Sequence, residues 1–150
     1  MNAMSRRAAV GMLLGVLAAC GRPPAPQSGG AGGPAEVNRL IAYHARAQNV
    51  PEDLVHRVVR RESNYNPAAR NGPYYGLMQI LPETARTMGY RGGPEGLLDA
   101  DTNLRYGVKY LRGAWIVANG DRDRAVMWSS KGYYYEAKRR GLLRETGLRS

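Results

Sequence analysis

Glu62-Ser63-Asn64-Tyr65-Asn66-Pro67, followed across a short loop by Tyr75-Gly76-Leu77-Met78-Gln79-Ile80-Leu81-Pro82-Glu83-Thr84-Ala85, decides how this chain is read. Just before it, Pro51 sits where a helix-starting proline belongs, Glu52 and Asp53 fill a first turn, and Leu54, Val55, Val58 and Val59 form an apolar stripe. Glu62 comes three residues after Val59, four after Val58 and seven after Val55. Its carboxylate therefore shares the apolar face at the C-terminal end of that helix. Apolar surroundings favour the protonated form of a carboxyl group, the form a general acid needs. Spacing alone leaves an equal alternative, a last-turn glutamate that frays toward solvent.

Outward from this stretch the patterning is helical. Val37, Leu40, Ile41 and His44 recur at helical spacing and predict a helix over residues 36–48, with the next running from Pro51 to about Glu62. Asn64 to Pro73 is rich in Asn, Pro and Gly and reads as loop, whereas Pro82 to Met88, stopped by Gly89, reads as a short helix. Residues 91–96 form another loop. Leu104, Val108, Leu111 and Trp115 stripe a long helix reaching about Ala118, for which Asp99 and Asp101 are read as caps. Asp121 caps a further helix through Trp128, and Tyr133 to Arg140 forms the last. No alternating strand pattern stands out, so the fold class is mainly α.

The two motifs resemble those of the soluble lytic transglycosylase (SLT-domain) family: Glu-Ser-x-aromatic-Asn-Pro, then Gly-Leu-Met-Gln-Ile-x-Pro-x-Thr-Ala. The pair spans Glu62 to Ala85, with a weaker likeness from about Leu54 to Gly141. The resemblance implies a lysozyme-like α fold and cleavage of the bond between N-acetylmuramic acid and N-acetylglucosamine in peptidoglycan, ending in a 1,6-anhydro sugar. It implies Glu62 as the acid/base and a substrate groove touched by Ser63, Tyr75, Gly76 and Gln79. Gly76 would let the backbone approach closely at the groove floor, and Gln79 would hydrogen-bond sugar groups. Met78 reads as core. Tyr74 and Tyr75 are both placed to flank the cleft, with ordinary packing an equal reading for Tyr74.

Such an enzyme needs one carboxylate, because the substrate's own 6-hydroxyl attacks the anomeric carbon, whereas an ordinary glycosidase needs two. Glu83, Asp99, Asp101, Asp121, Asp123 and Glu136 all read better as caps or solvated charges than as a second catalytic group. The chain departs from the family downstream. Many members carry Ala-Tyr-Asn-Ala-Gly, with a tyrosine that reaches the catalytic glutamate; aligned on the glycine, this chain has Trp128-Ser129-Ser130-Lys131-Gly132. Tyr133 or Tyr134 is expected to supply the missing hydroxyl, with Tyr135 turned toward the core.

At 150 residues, 43% apolar, the chain is sized for one domain. One cysteine and two histidines, His44 and His56, cannot supply a four-ligand zinc site, and no cofactor is expected. Arg6 and Arg7 precede a small and apolar run from Ala8 to Ala19, and Leu17-Ala18-Ala19-Cys20 resembles the lipobox of bacterial lipoproteins. Residues 1–19 are expected to be a lipoprotein signal peptide, 20–35 a lipidated Cys20 with a Gly/Pro-rich flexible tether, and 36–150 the catalytic domain. Cleavage would remove two arginines and no acid, lowering the formal charge from +10 to +8. Nucleic acid is a poor partner for an exported chain, and the charge suits peptidoglycan glycan strands or a membrane reached through the lipid anchor. Because Gly21 follows Cys20, the expected place is a periplasm-facing lipoprotein of the cell envelope, at the outer membrane. A catalytically weak peptidoglycan-binding lipoprotein is the alternative.

Overall fold

The computed structural model describes residues 34–149. The expected signal peptide, Cys20 and nearly all of the tether lie outside the described residues. Six α-helices carry the domain: α1 (Pro34–Gln48), α2 (Glu52–Ser63), α3 (Pro82–Thr87), α4 (Ala100–Val117), α5 (Arg122–Lys131) and α6 (Tyr134–Arg139). The first begins at Pro34, where a proline's missing N–H costs nothing, so it takes in the last two residues of the expected tether.

α4 is the central element, packed by α1 on one side and α5 on another. Val37, Leu40, Ile41 and Ala45 of α1 and Leu54, Val55 and Val59 of α2 close against Leu104, Val108 and Leu111 of α4. Most of these side chains are fully buried, and each large one removed from water contributes about 1.5–3 kcal/mol before entropy is subtracted. Asp99 caps α4 by accepting from the Thr102 N–H at 2.8 Å, and Asp121 caps α5 from the Arg124 N–H at 2.8 Å.

Three features depart from expectation. Residues 70–75 form a small antiparallel hairpin, β1 (Arg70–Asn71) and β2 (Tyr74–Tyr75), with Asn71 opposite Tyr74. Gly72 turns it at φ +57, and Pro73 cannot take a positive φ, which is the pattern of a type II′ turn. Pro94–Leu98 is a 3-10 turn rather than open loop. Asp101 is no cap but a buried carboxylate, 4% exposed, that accepts from His44 Nε2 at 2.7 Å and pairs with Arg105 at 3.1 Å. This bond ties α1 to α4. Burial disfavours the imidazolium and holds His44 below its usual range, against the opposing pull of Asp101.

Candidate active site

α2 ends directly after Glu62-Ser63 because Asn64 and Tyr65 are both left-handed, at φ 48 and 63, and the Asn64 N–H closes onto Arg60 O. Glu62 is thereby left half-buried on the last turn, at the rim of the core that Val58 and Val59 enter. Ser63 does not line the groove. Its hydroxyl lies 2.8 Å from Leu77 O and 3.1 Å from Val59 O, so it ties the helix end to the following loop.

That loop, residues 75–80, is closed by a reciprocal pair of backbone bonds between Tyr75 and Ile80, at 3.2 and 3.1 Å. Gly76 sits within it at φ +69, and a Cβ there would come within 2.4 Å of both Asn103 Nδ2 and Leu97 O. The glycine is needed for packing against Asn103 of α4 and the Pro94–Leu98 turn. Asn103, fully buried, clamps the loop from α4. Its Oδ1 accepts from the Met78 N–H at 2.9 Å, and its Nδ2 donates to Tyr75 O and Leu97 O at 2.8 Å each. All three polar positions of that amide are used. Gln79 takes a left-handed conformation, φ 46, unusual for a residue with a side chain. Its Nε2 donates to Gly76 O at 2.9 Å and Ala69 O at 3.2 Å, which commits the amide nitrogen to the loop.

Two adjoining cavities form one groove beside this loop. The first, about 380 Å³, is lined by Val58, Arg61, Glu62, Asn71, Tyr74, Met78, Gln79, Ser129 and Ser130. The second, about 270 Å³, shares Tyr74, Met78, Gln79, Ser129 and Ser130 and continues past Leu81, Thr84, Tyr110 and Lys131. Glu62 is the one carboxylate on either lining; Arg61 and Lys131 are the cations. Three other acids are paired away from it: Asp53 with Arg122 at 2.6 Å, Asp123 with Arg57 at 2.6 Å, and Glu136 with Arg139 at 2.5 Å.

Of the residues expected to meet substrate or flank the cleft, the groove holds Glu62, Tyr74 and Gln79. Tyr75 is 7% exposed, its hydroxyl accepting from Arg70 Nη2 at 2.8 Å, and it packs with Ile80, Ala85, Tyr90 and Leu97. Its neighbour Tyr74, on the opposite face of the short strand, lines both cavities instead. Tyr133 is core, not cleft. It is 1% exposed, its hydroxyl donates to Tyr110 O at 2.8 Å, and it fits because Gly113 has no Cβ to occupy the same space. Burial pushes its phenol far above the usual range. Tyr134, half exposed, stacks edge-on with the more exposed Tyr135 on α6 and lines neither cavity. Sequence reasoning missed Asn103 and Arg61. The first has no sequence signal, whereas Arg61 could have been found from Asp53, Arg57 and Arg61 recurring every four residues along α2.

A helix-borne glutamate at the end of a groove, with a Gly-Leu-Met-Gln-Ile loop as its wall, invites comparison with known proteins. The family model described as Transglycosylase SLT domain matches residues 39–128, more than half the chain. The chain belongs to the transglycosylase SLT domain family. It is 32% identical over 87 residues to the soluble lytic murein transglycosylase of Escherichia coli (strain K12), covering 53% of this chain and 13% of that protein. It is 33% identical over 102 residues to membrane-bound lytic murein transglycosylase C of Haemophilus influenzae (strain PittEE), covering 63% of this chain and 28% of that one. The solved complex of the 70-kDa soluble lytic transglycosylase with bulgecin A superimposes with a TM-score of 0.62 at 25% identity, over 75% of this chain and 19% of that chain. The SLT domain here has the lysozyme-like fold, and the chain spans a small part of these relatives' length. Among the described residues, no helix is long and apolar enough to cross a membrane, and no cluster of three or more His, Cys, Asp or Glu side chains could hold a metal ion.

Proposed function

We propose that this SLT-domain chain is a peptidoglycan lytic transglycosylase that uses Glu62 alone as acid and base. The observation that carries this reading is the groove itself, an elongated cleft with a single carboxylate on its lining. A glycosidase of either stereochemistry would ordinarily need a second carboxylate about 5–9.5 Å away. Protonated Glu62 gives its proton to the glycosidic oxygen as the bond from N-acetylmuramic acid C1 breaks. The same sugar's 6-hydroxyl then bonds to C1 and passes its proton to the Glu62 carboxylate, which restores the acid and leaves a 1,6-anhydro end. Gln79 keeps an amide oxygen for sugar N–H or hydroxyl donors, and Tyr74 offers an exposed ring and hydroxyl on the groove wall.

The basic charge suits a polymer carrying carboxylate-bearing peptide stems. The proposed site of action is the cell envelope, with Cys20 as the lipid-bearing residue, the tether holding the domain near the membrane, and the outer membrane as its place. The names of the membrane-bound relatives agree with this address. One observation favours a second reading, a wall-binding protein of low turnover: Ser129 and Ser130 occupy the groove where the family resemblance leads one to look for a tyrosine. Digestion of purified peptidoglycan, with the released sugars identified by mass, separates the two. Anhydro-ended products from the parent and none from Glu62→Gln support the enzyme; retained binding without products supports the alternative.

A further inference from the structure

Consecutive residues of a helix point about 100° apart and ordinarily do not meet, yet Arg61 Nε lies 3.3 Å from Glu62 Oε1. The cause is on the neighbouring helix. Arg61 Nη2 donates to Ser130 Oγ of α5 at 2.7 Å, which draws the guanidinium out of its own direction and across the groove end. Asp53, Arg57 and Arg61 recur every four residues on α2, and each reaches α5: Asp53 to Arg122, Arg57 to Asp123, Arg61 to Ser130. The first two contacts match charge with charge. The third ends on a neutral hydroxyl, so α5 leaves the Arg61 charge uncompensated and the nearby carboxylate of Glu62 receives it. Among the described residues, no other side chain makes a salt bridge to Glu62.

We propose that Arg61, anchored by Ser130, is a positioning residue that fixes the Glu62 carboxylate by Oε1 and leaves Oε2 to face the substrate. This rests on the reading of Glu62 as acid and base. The guanidinium has a second use in that cycle, since it steadies the negative charge Glu62 takes on once its proton has gone to the leaving oxygen. Arginine suits the role because its fork can serve two acceptors at once, which a lysine head on a single stem does poorly.

The test is the rate of wall digestion by the full chain and by Arg61→Ala, Arg61→Lys, Ser130→Ala, Arg61→Ala with Ser130→Ala, and Glu62→Gln. Thermal unfolding is followed alongside to show that the variants fold. Arg61→Ala should lower kcat about tenfold with KM changed less than about twofold, and Ser130→Ala should lower it about three- to fivefold. Since Ser130 acts through Arg61, Ser130→Ala should cost nothing further in the Arg61→Ala background. Arg61→Lys should recover part of the loss. Parental kcat in Arg61→Ala and Ser130→Ala, beside an inactive Glu62→Gln, overturns the positioning role and leaves the Glu62 assignment standing. Losses that simply multiply in the double variant, or full recovery by lysine, overturn the anchoring. A parent that releases no product, or Glu62→Gln at the parental rate, overturns the Glu62 assignment itself, and the positioning role falls with it. Should Arg61→Ala fail to fold, Ser130→Ala decides, because it removes one hydroxyl from an exposed residue.

Discussion

Asn103→Ala tests whether the groove wall is held from α4. The side chain is fully buried and serves the Met78 N–H, Tyr75 O and Leu97 O. Tyr75 O keeps its bond from the Ile80 N–H, so the loss falls on the other two buried groups. Each buried group stripped of its partner costs about 1–3 kcal/mol, which makes about 3 kcal/mol a sound expectation once some water has entered. For a domain of this size that lowers the thermal midpoint by about 12 °C. Asn103→Asp sharpens the argument. At neutral pH its carboxylate can accept from Met78 but has no proton for Tyr75 O or Leu97 O, and the buried charge is itself disfavoured. Such a carboxyl has a folded-state pKa above its unfolded value, so its protonated-state stability is present at low pH and lost as pH rises through the folded pKa. The assay is urea unfolding followed by Trp115 and Trp128 fluorescence at pH 5 and pH 8. A cost below about 1 kcal/mol for Asn103→Ala, or an Asn103→Asp variant as stable as the parent at pH 8, would refute the reasoning.

Three further outcomes are expected. His44 is held neutral by burial, with a folded pKa below the unfolded value, so its contribution is full above about pH 6.5 and is lost as pH falls from there toward the depressed value. His44→Gln should flatten that part of the stability curve, and parallel curves for parent and variant would contradict it. Tyr133→Phe removes a core hydrogen bond and should cost about 1 kcal/mol in urea unfolding while leaving wall digestion within about twofold of the parent. Cys20→Ala should abolish partitioning of the protein into detergent, and unchanged partitioning would rule out the lipid anchor.

Periodicity revealed α1, α2 and α4 because their buried faces are continuous stripes of Leu, Ile and Val that no other arrangement could hide from water. Asp99 and Asp121 were readable as caps because capping is local chemistry, a side chain bonding an N–H three residues on. The stripe left Glu62 with two equal readings, and the resemblance of its motif and of the Gly-Leu-Met-Gln-Ile stretch to the family singled it out. What depended on the third dimension was not. Tyr74 and Tyr75 are neighbours of one residue type, and a two-residue strand sends one to the groove and the other to the core, so a slip of one position exchanges their roles. Among Tyr133, Tyr134 and Tyr135, the buried ring is the one that meets Gly113, twenty residues earlier on α4. Asp101 passes for a cap until His44 arrives from α1. Asn103 looks like a solvated helix residue until the loop it holds is folded onto it.

The most direct measurement of the catalytic claim is mass spectrometry of the sugars released from purified peptidoglycan by the parent chain and by Glu62→Gln. Removing the sole carboxylate of the groove should abolish release with the fold retained, while the parent should yield products ending in 1,6-anhydro-N-acetylmuramic acid. Products carrying an ordinary reducing end, heavier by one water, would mean that water rather than the 6-hydroxyl attacks. That result, or release that persists in Glu62→Gln, would contradict a mechanism run by Glu62 alone.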